Sequence, residues 1–222
     1  MRLHADLGQR AVVDSNALPW VSSPASGVER RMLERDGGEV ARATSLVRFA
    51  PGSAFSAHTH GGGEEFLVLS GVFSDETRDF PAGWYVRNPP GSVHAPFSGP
   101  GAVILVKLRQ MDPADDQFVR VDTGDASRWQ ASQDTEEIMP LYAGPHETVG
   151  LVRWAAGSSF PETRLVGGAE YFVIDGAFSD DEGTYGAGTW LRLPAGSPQR
   201  IRTGGGATVY RKTGRLASGR DG

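Results

Sequence analysis

His58, His60, Glu64 and His94 fall in two short stretches, GSAFSAHTHGGGEEF beginning at Gly52 and GWYVRNPPGSVH beginning at Gly83. Three neutral imidazoles and one carboxylate make a nitrogen and oxygen donor set suited to Zn, Fe(II), Mn, Ni or Cu(II). A coordination sphere that accepts more than four ligands would keep positions for water or substrate. An isolated HxH occurs by chance, and a lone histidine in a half-buried strand is more often hydrogen-bonded than metallated. Here the sequence supplies its own control. Shifted by 105 residues, the text recurs as GSSFPETRLVGGAEY and GTWLRLPAGSPQ, with Thr163, Leu165, Ala169 and Gln199 where the four candidates stood. The glycines and prolines that shape the backbone are retained, and the donors disappear together.

The repeat also separates two adjacent glutamates. Glu65 has a counterpart in Glu170, within the copy that has lost the histidines, whereas Glu64 is replaced by Ala169. Glu64 is therefore the better ligand candidate, and Glu65 is expected to serve the fold by pairing with Arg48 or Arg87, whose counterparts Arg153 and Arg192 are also kept. His4 and His146 lie outside the repeated frame and read as surface histidines.

Positioning these groups asks for extended chain and sharp turns. On a strand, residues two apart share a face about 6.6 Å apart, so His58 and His60 should point the same way. The glycines at 61–63 allow the backbone to bring Glu64 back to the same centre, and Pro89-Pro90-Gly91 shapes a turn that delivers His94. Short apolar runs between Gly, Pro, Asp and Ser clusters predict strands at 43–49, 65–69, 84–88, 103–108, 118–121, 150–154, 171–174, 189–193 and 208–211. Thirty glycines and fourteen prolines leave little room for helices. The fold class is all-β, a sandwich or small barrel in each half.

The register between the copies runs without a gap from Leu46 and Leu151 to Lys107 and Lys212. Before it the match is looser, with Val13-Asp14 and Trp20 answering Val121-Asp122 and Trp129. Two domains follow, at 1–114 and 115–222, divided in the acidic stretch Met111 to Asp116.

Composition narrows the function classes. A chain that is 39% apolar, with no run long enough to span a bilayer, reads as a globular protein rather than an integral membrane protein. The opening MRLHADLGQRAVVDS shows no secretory pattern, so a cytoplasmic address is expected. Without cysteine there is no disulfide framework and no thiolate metal site. A net charge of -5 with scattered basic residues argues against nucleic acid as a partner. The basic run Val28-Glu29-Arg30-Arg31 reads as a solvated face.

The two stretches resemble the paired motifs of the cupins. Gly52, His58, His60, Glu64 and Gly71 fit the first, and Gly83, Pro89, Gly91 and His94 fit the second. Ser98 stands where the second motif usually ends in asparagine. Within the cupins, HTHGGGEEFLVLSGVFSDE and GWYVRNPPGSVHAPF are similar to the ChrR-like group, named for the metal-binding domain of a bacterial anti-sigma factor. The resemblance implies two tandem cupin barrels of the double-stranded β-helix, or jelly-roll, type. It implies one divalent metal ion in the first barrel, commonly zinc in this group, with Fe(II), Mn or Ni as alternatives. The second barrel would be a degenerate copy without metal ligands.

Anti-sigma proteins of the group bind their sigma factor through a separate helical domain, which this sequence does not display, so sigma factor binding is unsupported. Similar cupins include enzymes that cleave acetylacetone-like dicarbonyls with Fe(II) and dioxygen. The expected function is therefore a metal-dependent dioxygenase acting on a small dicarbonyl-like or other oxygen-chelating molecule, with Phe55, Phe66, Tyr85 and Phe97 shaping its cavity. The alternative is a sensory or regulatory cupin that binds a small ligand through a zinc centre without catalysis. A purely structural metal is the third reading. Cupins frequently pair, so a homo-oligomer is compatible, although the fused copies could satisfy that pairing internally.

Overall fold

In the computed structural model, residues 1–38, 40–133 and 135–214 are described. Almost every regular element is an antiparallel strand; two short 3-10 turns, Ser15–Ala17 and Ala126–Arg128, are the helical segments among the described residues. Among the described residues no helix is long and apolar enough to cross a membrane.

The chain forms two compact units, each a β barrel of the jelly-roll kind. The first comprises Met1–Ala5 and Leu18–Asp125, the second Asp6–Ala17 and Ala126–Gly222, whose last residues, 215–222, lie outside those described. In the first unit the main strand order is Arg2–Leu3, Val28–Gly37, Ala41–Phe49, Ala102–Leu108, Glu64–Ser74, Trp84–Asn88, Val119–Asp122. The second unit follows the same plan with Gln130–Gln133, Glu136–Ala143, Glu147–Trp154, Ala207–Gly214, Ala169–Ser179, Thr189–Leu193 and Ala11–Asp14. The terminal strand of each path comes from the other repeat. Val119–Asp122, at the head of the second repeat, pairs with Trp84–Asn88, while Ala11–Asp14, at the head of the first, pairs with Thr189–Leu193.

This exchange is why the compact units do not follow the division at 114 and 115. A repeat unit and a packed unit are different objects here: the sequence copies run in series, and each barrel borrows its last strand across the boundary.

Eight of the nine predicted strands lie within observed ones, several of them longer than expected, such as Glu64–Ser74 and Ala169–Ser179. The ninth, predicted at 118–121, is observed one residue later, as Val119–Asp122. One strand contradicts the expectation of a solvated basic face. Val28–Gly37, VERRMLERDG, is a ten-residue strand whose Val28 and Leu33 are buried. Its charged residues hide the apolar period, and a bulge between Met32 and Glu34 shifts the alternation midway. Arg31 and Arg48 both stack on the Trp20 indole, each with its guanidinium carbon 4.5 Å from the ring centroid. Arg31 is half-buried against that ring, while the buried charges Glu34 and Arg35 are met by Arg42 and by the Gly38 carbonyl.

The bulges themselves are copied. Leu69 is passed over opposite Val103 and Ile104, and Ile174 is passed over in the same way opposite Val209 and Thr208. Gly71 and Gly176, both with positive φ, explain why this place admits no side chain. A Cβ at either would lie 2.0 or 2.2 Å from the carbonyl oxygen of Gly101 or Gly206.

The first core gathers Phe49, Phe66, Phe73, Phe80, Val86 and Ile104. The second gathers Trp154, Tyr171, Phe178, Tyr185, Leu191 and Val209. The larger rings of the second set fall at repeat positions where the first has phenylalanine.

Candidate metal centre

His58 and His94 sit side by side because the two-residue strands His58–Thr59 and Val93–His94 pair with His94 directly opposite His58. His60 follows at the end of that ribbon, its backbone N–H donating to the Ser92 carbonyl at 2.9 Å, and its own carbonyl accepting from Gly91 at 2.9 Å. The tight turn after it returns the chain to the main sheet, where Glu64 begins a long strand opposite Asn88. Of the three glycines in that turn, Gly63 alone has positive φ, at 76°. A Cβ there would lie 2.3 Å from the Met111 Sδ, and one at Gly62 would lie 2.9 Å from the Arg109 Cα. The run therefore provides one left-handed residue and close approach of the 109–111 segment, more than freedom to turn.

The outcome is a cluster in which one donor atom from each of His58, His60, Glu64 and His94 lies within 4.8 Å of every other. The three imidazole centroids are 4.5 to 5.0 Å apart with steeply inclined planes. Glu64 Oε2 lies 3.4 Å from His60 Nε2 and 3.5 Å from His94 Nε2. His60, Glu64 and His94 are buried, and His58 forms the exposed flank.

Hydrogen bonds assign the tautomers. The Ser56 carbonyl lies 2.9 Å from His58 Nδ1 and can only accept, so that nitrogen carries the proton and Nε2 keeps its lone pair. Ser92 Oγ donates to the Pro89 carbonyl at 2.6 Å. Its oxygen is then the acceptor for His60 Nδ1 at 3.0 Å, which again leaves Nε2 as a free donor atom. His94 Nδ1 faces the Asp75 carboxylate at 3.9 Å. Buried His60 Nε2 and His94 Nε2 have no hydrogen-bond partner among the described residues. Such orphaned lone pairs, converging on a carboxylate, fit a divalent cation as their missing partner.

The electrostatics agree with that fit. Burial, reinforced by His94 and His58, lowers His60 to about 3. Burial, with His58 adding to it, lowers His94 to about 4. Both imidazoles are thus neutral and ready to ligate near neutrality. Burial raises Glu64 to about 7, against the opposing pull of its hydrogen bond from Asn88 and the charge of Arg120.

Glu65 points to the other side of its strand. It accepts from Tyr85 Oη at 2.7 Å and from Arg87 Nη1 at 3.0 Å, and Arg87 continues to Asp115 at 2.6 Å. Of the two arginines considered from the sequence, Arg87 is thus its partner, while Arg48 pairs with Glu29. In the second barrel Trp190 replaces Tyr85, and its indole N–H donates to Glu170 at 2.6 Å. Tyr85 accordingly belongs to this buried ion-pair network and does not face the histidines, and Phe97 is 40% exposed. Phe55, with its centroid 6.1 Å from that of His58, and Phe73, 6.2 Å from His94, are the rings beside the cluster. Ser98, in place of the motif's asparagine, donates to the Val72 carbonyl and serves the fold.

Sequence reasoning missed Ser92, Asp75, Asn88 and Arg120. Asn88 carried a readable signal, since its repeat counterpart is the apolar Leu193. Arg120 was hidden by its place beyond the repeat boundary.

At the same place in the second barrel, Thr163 stands opposite Gln199, as His58 stands opposite His94. Tyr171 donates to Gln199 Oε1 at 2.7 Å, Leu165 packs against the core, and Ala169 is fully buried. Methyls, an amide and a phenol occupy the position of the donor set.

A family model described as the ChrR cupin-like domain matches twice, over residues 8–112 and 116–217. No curated protein matched the chain. Among solved structures, a candidate dioxygenase from Nostoc punctiforme superposes with a TM-score of 0.79 at 15% identity, covering 96% of this chain and 85% of the other. Protein Ylba from E. coli gives 0.72 at 16% identity, with 95% and 93% covered. A candidate glyoxylate-induced protein from Pseudomonas aeruginosa gives 0.74 at 13% identity, with 95% and 91% covered. These likenesses speak for the fold. Two family matches that together span nearly the whole sequence say more: the chain belongs to the ChrR cupin-like domain family, as two tandem copies.

Proposed function

We propose that the protein is a metal-dependent bicupin in which His58, His60, Glu64 and His94 hold one divalent cation, zinc before Fe(II), Mn or Ni, and present it to a small oxygen-chelating molecule. The observation that carries this reading is the convergence of four donor atoms within 4.8 Å, with buried imidazole nitrogens that have no hydrogen-bond partner among the described residues. A cation held there would supply Lewis acidity toward a chelating oxygen ligand and, if iron, access to dioxygen chemistry. The chain's own contribution is orientation. Ser56 and Ser92 fix two imidazoles, the ring of Phe73 excludes water on the buried side, and the His58 flank, beside the half-buried Phe55, leaves an approach for a small molecule.

The dioxygenase reading draws on the likeness to the Nostoc punctiforme protein and acts on a dicarbonyl-like substrate. The sensory alternative draws on the ChrR family match, with the same centre binding a small ligand without turnover. An oxygen electrode separates them. The Fe(II)-loaded protein should consume dioxygen in the presence of a 1,3-dicarbonyl, and the His60→Ala variant should not. Tight binding of the dicarbonyl with no oxygen uptake by any loaded form favours the sensory reading.

A further inference from the structure

Glu64 Oε2, the carboxylate oxygen nearest both buried imidazole nitrogens, also accepts from Asn88 Nδ2 at 3.3 Å. A primary amide could present either end to that carboxylate. Arg120 removes the choice. Its Nη2 donates to Asn88 Oδ1 at 2.7 Å, and a guanidinium has no acceptor, so the amide oxygen must face Arg120 and the amide nitrogen must face Glu64. Arg120 is itself anchored, with Nη1 donating to the carbonyls of Arg87 and Val119, both at 2.9 Å, and its guanidinium 5.6 Å from the Phe80 centroid.

The second barrel shows what happens to this relay when there are no ligands to orient. Val86 faces Arg120 across the sheet, and its counterpart Leu191 faces Val12. Asn88 likewise gives way to Leu193. Arg87, Glu65 and Ser92, by contrast, keep their residue types in Arg192, Glu170 and Ser197. Asn88 and Arg120 thus follow the ligands and not the scaffold.

We propose that Arg120 and Asn88 are positioning residues for the metal centre, Arg120 fixing the Asn88 amide and the amide fixing the Glu64 carboxylate. The inference rests on the metal-site reading above. It also assigns the borrowed strand Val119–Asp122 a role in the chemistry of the first barrel, beyond closing its sheet.

The test is a double-mutant cycle on the full chain, reading zinc affinity by chelator competition and the visible absorption of the cobalt(II)-substituted protein. Asn88→Leu should weaken zinc binding about 10–100-fold, the usual effect of removing an outer hydrogen-bond partner of a ligand. Arg120→Met should weaken it at least several-fold and alter the cobalt spectrum, and Arg120→Lys, which keeps a donor, should recover part of the loss. Because the positioning effect of Arg120 runs through Asn88, it is already lost in Asn88→Leu, and the double variant should bind more tightly than the product of the two single penalties. Multiplying penalties, or single variants that keep the wild-type affinity and spectrum, would overturn the proposal. If Arg120→Met does not fold, Asn88→Leu still decides, since leucine is the residue the second barrel carries at that place. Failure of the wild-type chain to bind zinc or cobalt would instead overturn the metal-site reading itself.

Discussion

Glu64 and Glu65 are neighbours on one strand with opposite tasks, because alternation sends one to the histidines and the other to Tyr85 and Arg87. Glu65→Gln should retain bound metal and lower stability by about 1–3 kcal/mol, as a buried charged network loses one member. Glu64→Gln should lose most metal affinity. Elemental analysis and urea unfolding of the two variants check both outcomes, and reversed results would exchange the roles. The same site sets the pH response. His60 at about 3 and His94 at about 4 are already neutral, so among these three buried groups the proton that competes with a cation sits on Glu64, at about 7. Metal affinity should fall as pH drops below about 7, with proton release on binding measurable by calorimetry in buffers of different ionisation enthalpy. An affinity that stays flat down to about pH 5.5 would contradict this. In the metal-free fold the two imidazoles, lowered from 6.5, cost stability as pH falls from 6.5 toward 3–4. Glu64, raised from 4.5, contributes stability that is complete below 4.5 and lost as pH rises through about 7. Two groups against one, the metal-free protein should weaken on acidification below about pH 6.

At the scale of elements, the site depends on the turn that joins the short histidine ribbon to the long strand. Gly63→Ala would force a side chain into left-handed backbone against Met111, and it should cost about 1–3 kcal/mol and displace Glu64. Gly91→Ala meets nothing within 4 Å and should cost less, although its φ is also positive. Thermal unfolding and metal titration of the pair check the difference. The long strands were legible because apolar runs between Gly and Pro breakers are strong signals, whereas the two-residue strands His58–Thr59 and Val93–His94, which carry two of the candidate ligands, were not among those predicted. Val28–Gly37 was not, since its charged residues snorkel over Trp20 and a bulge interrupts the alternation. The four candidate ligands were legible through the contrast with Thr163, Leu165, Ala169 and Gln199. Asn88 could have been found in the same way. Arg120 could not, because its partner arises from a pairing between distant segments that no local pattern records.

For the whole molecule, the informative feature is that each barrel takes its closing strand from the other repeat. Sequence similarity divides the chain into 8–112 and 116–217, and packing divides it elsewhere. A fragment ending at 114 lacks Val119–Asp122 and with it Arg120, so it should unfold at lower urea and bind metal more weakly than a fragment ending at 125. Equal behaviour of the two would remove any role for the borrowed strand. The account as a whole turns on one asymmetry, a donor set present in the first barrel and absent from the second. The most direct measurement is elemental analysis of the intact protein, purified without chelator, beside a variant with His58, His60, Glu64 and His94 all replaced by their second-barrel counterparts. One divalent ion per chain in the first and none in the second is the predicted result; two ions per chain, or an ion that persists in the substituted protein, would contradict it.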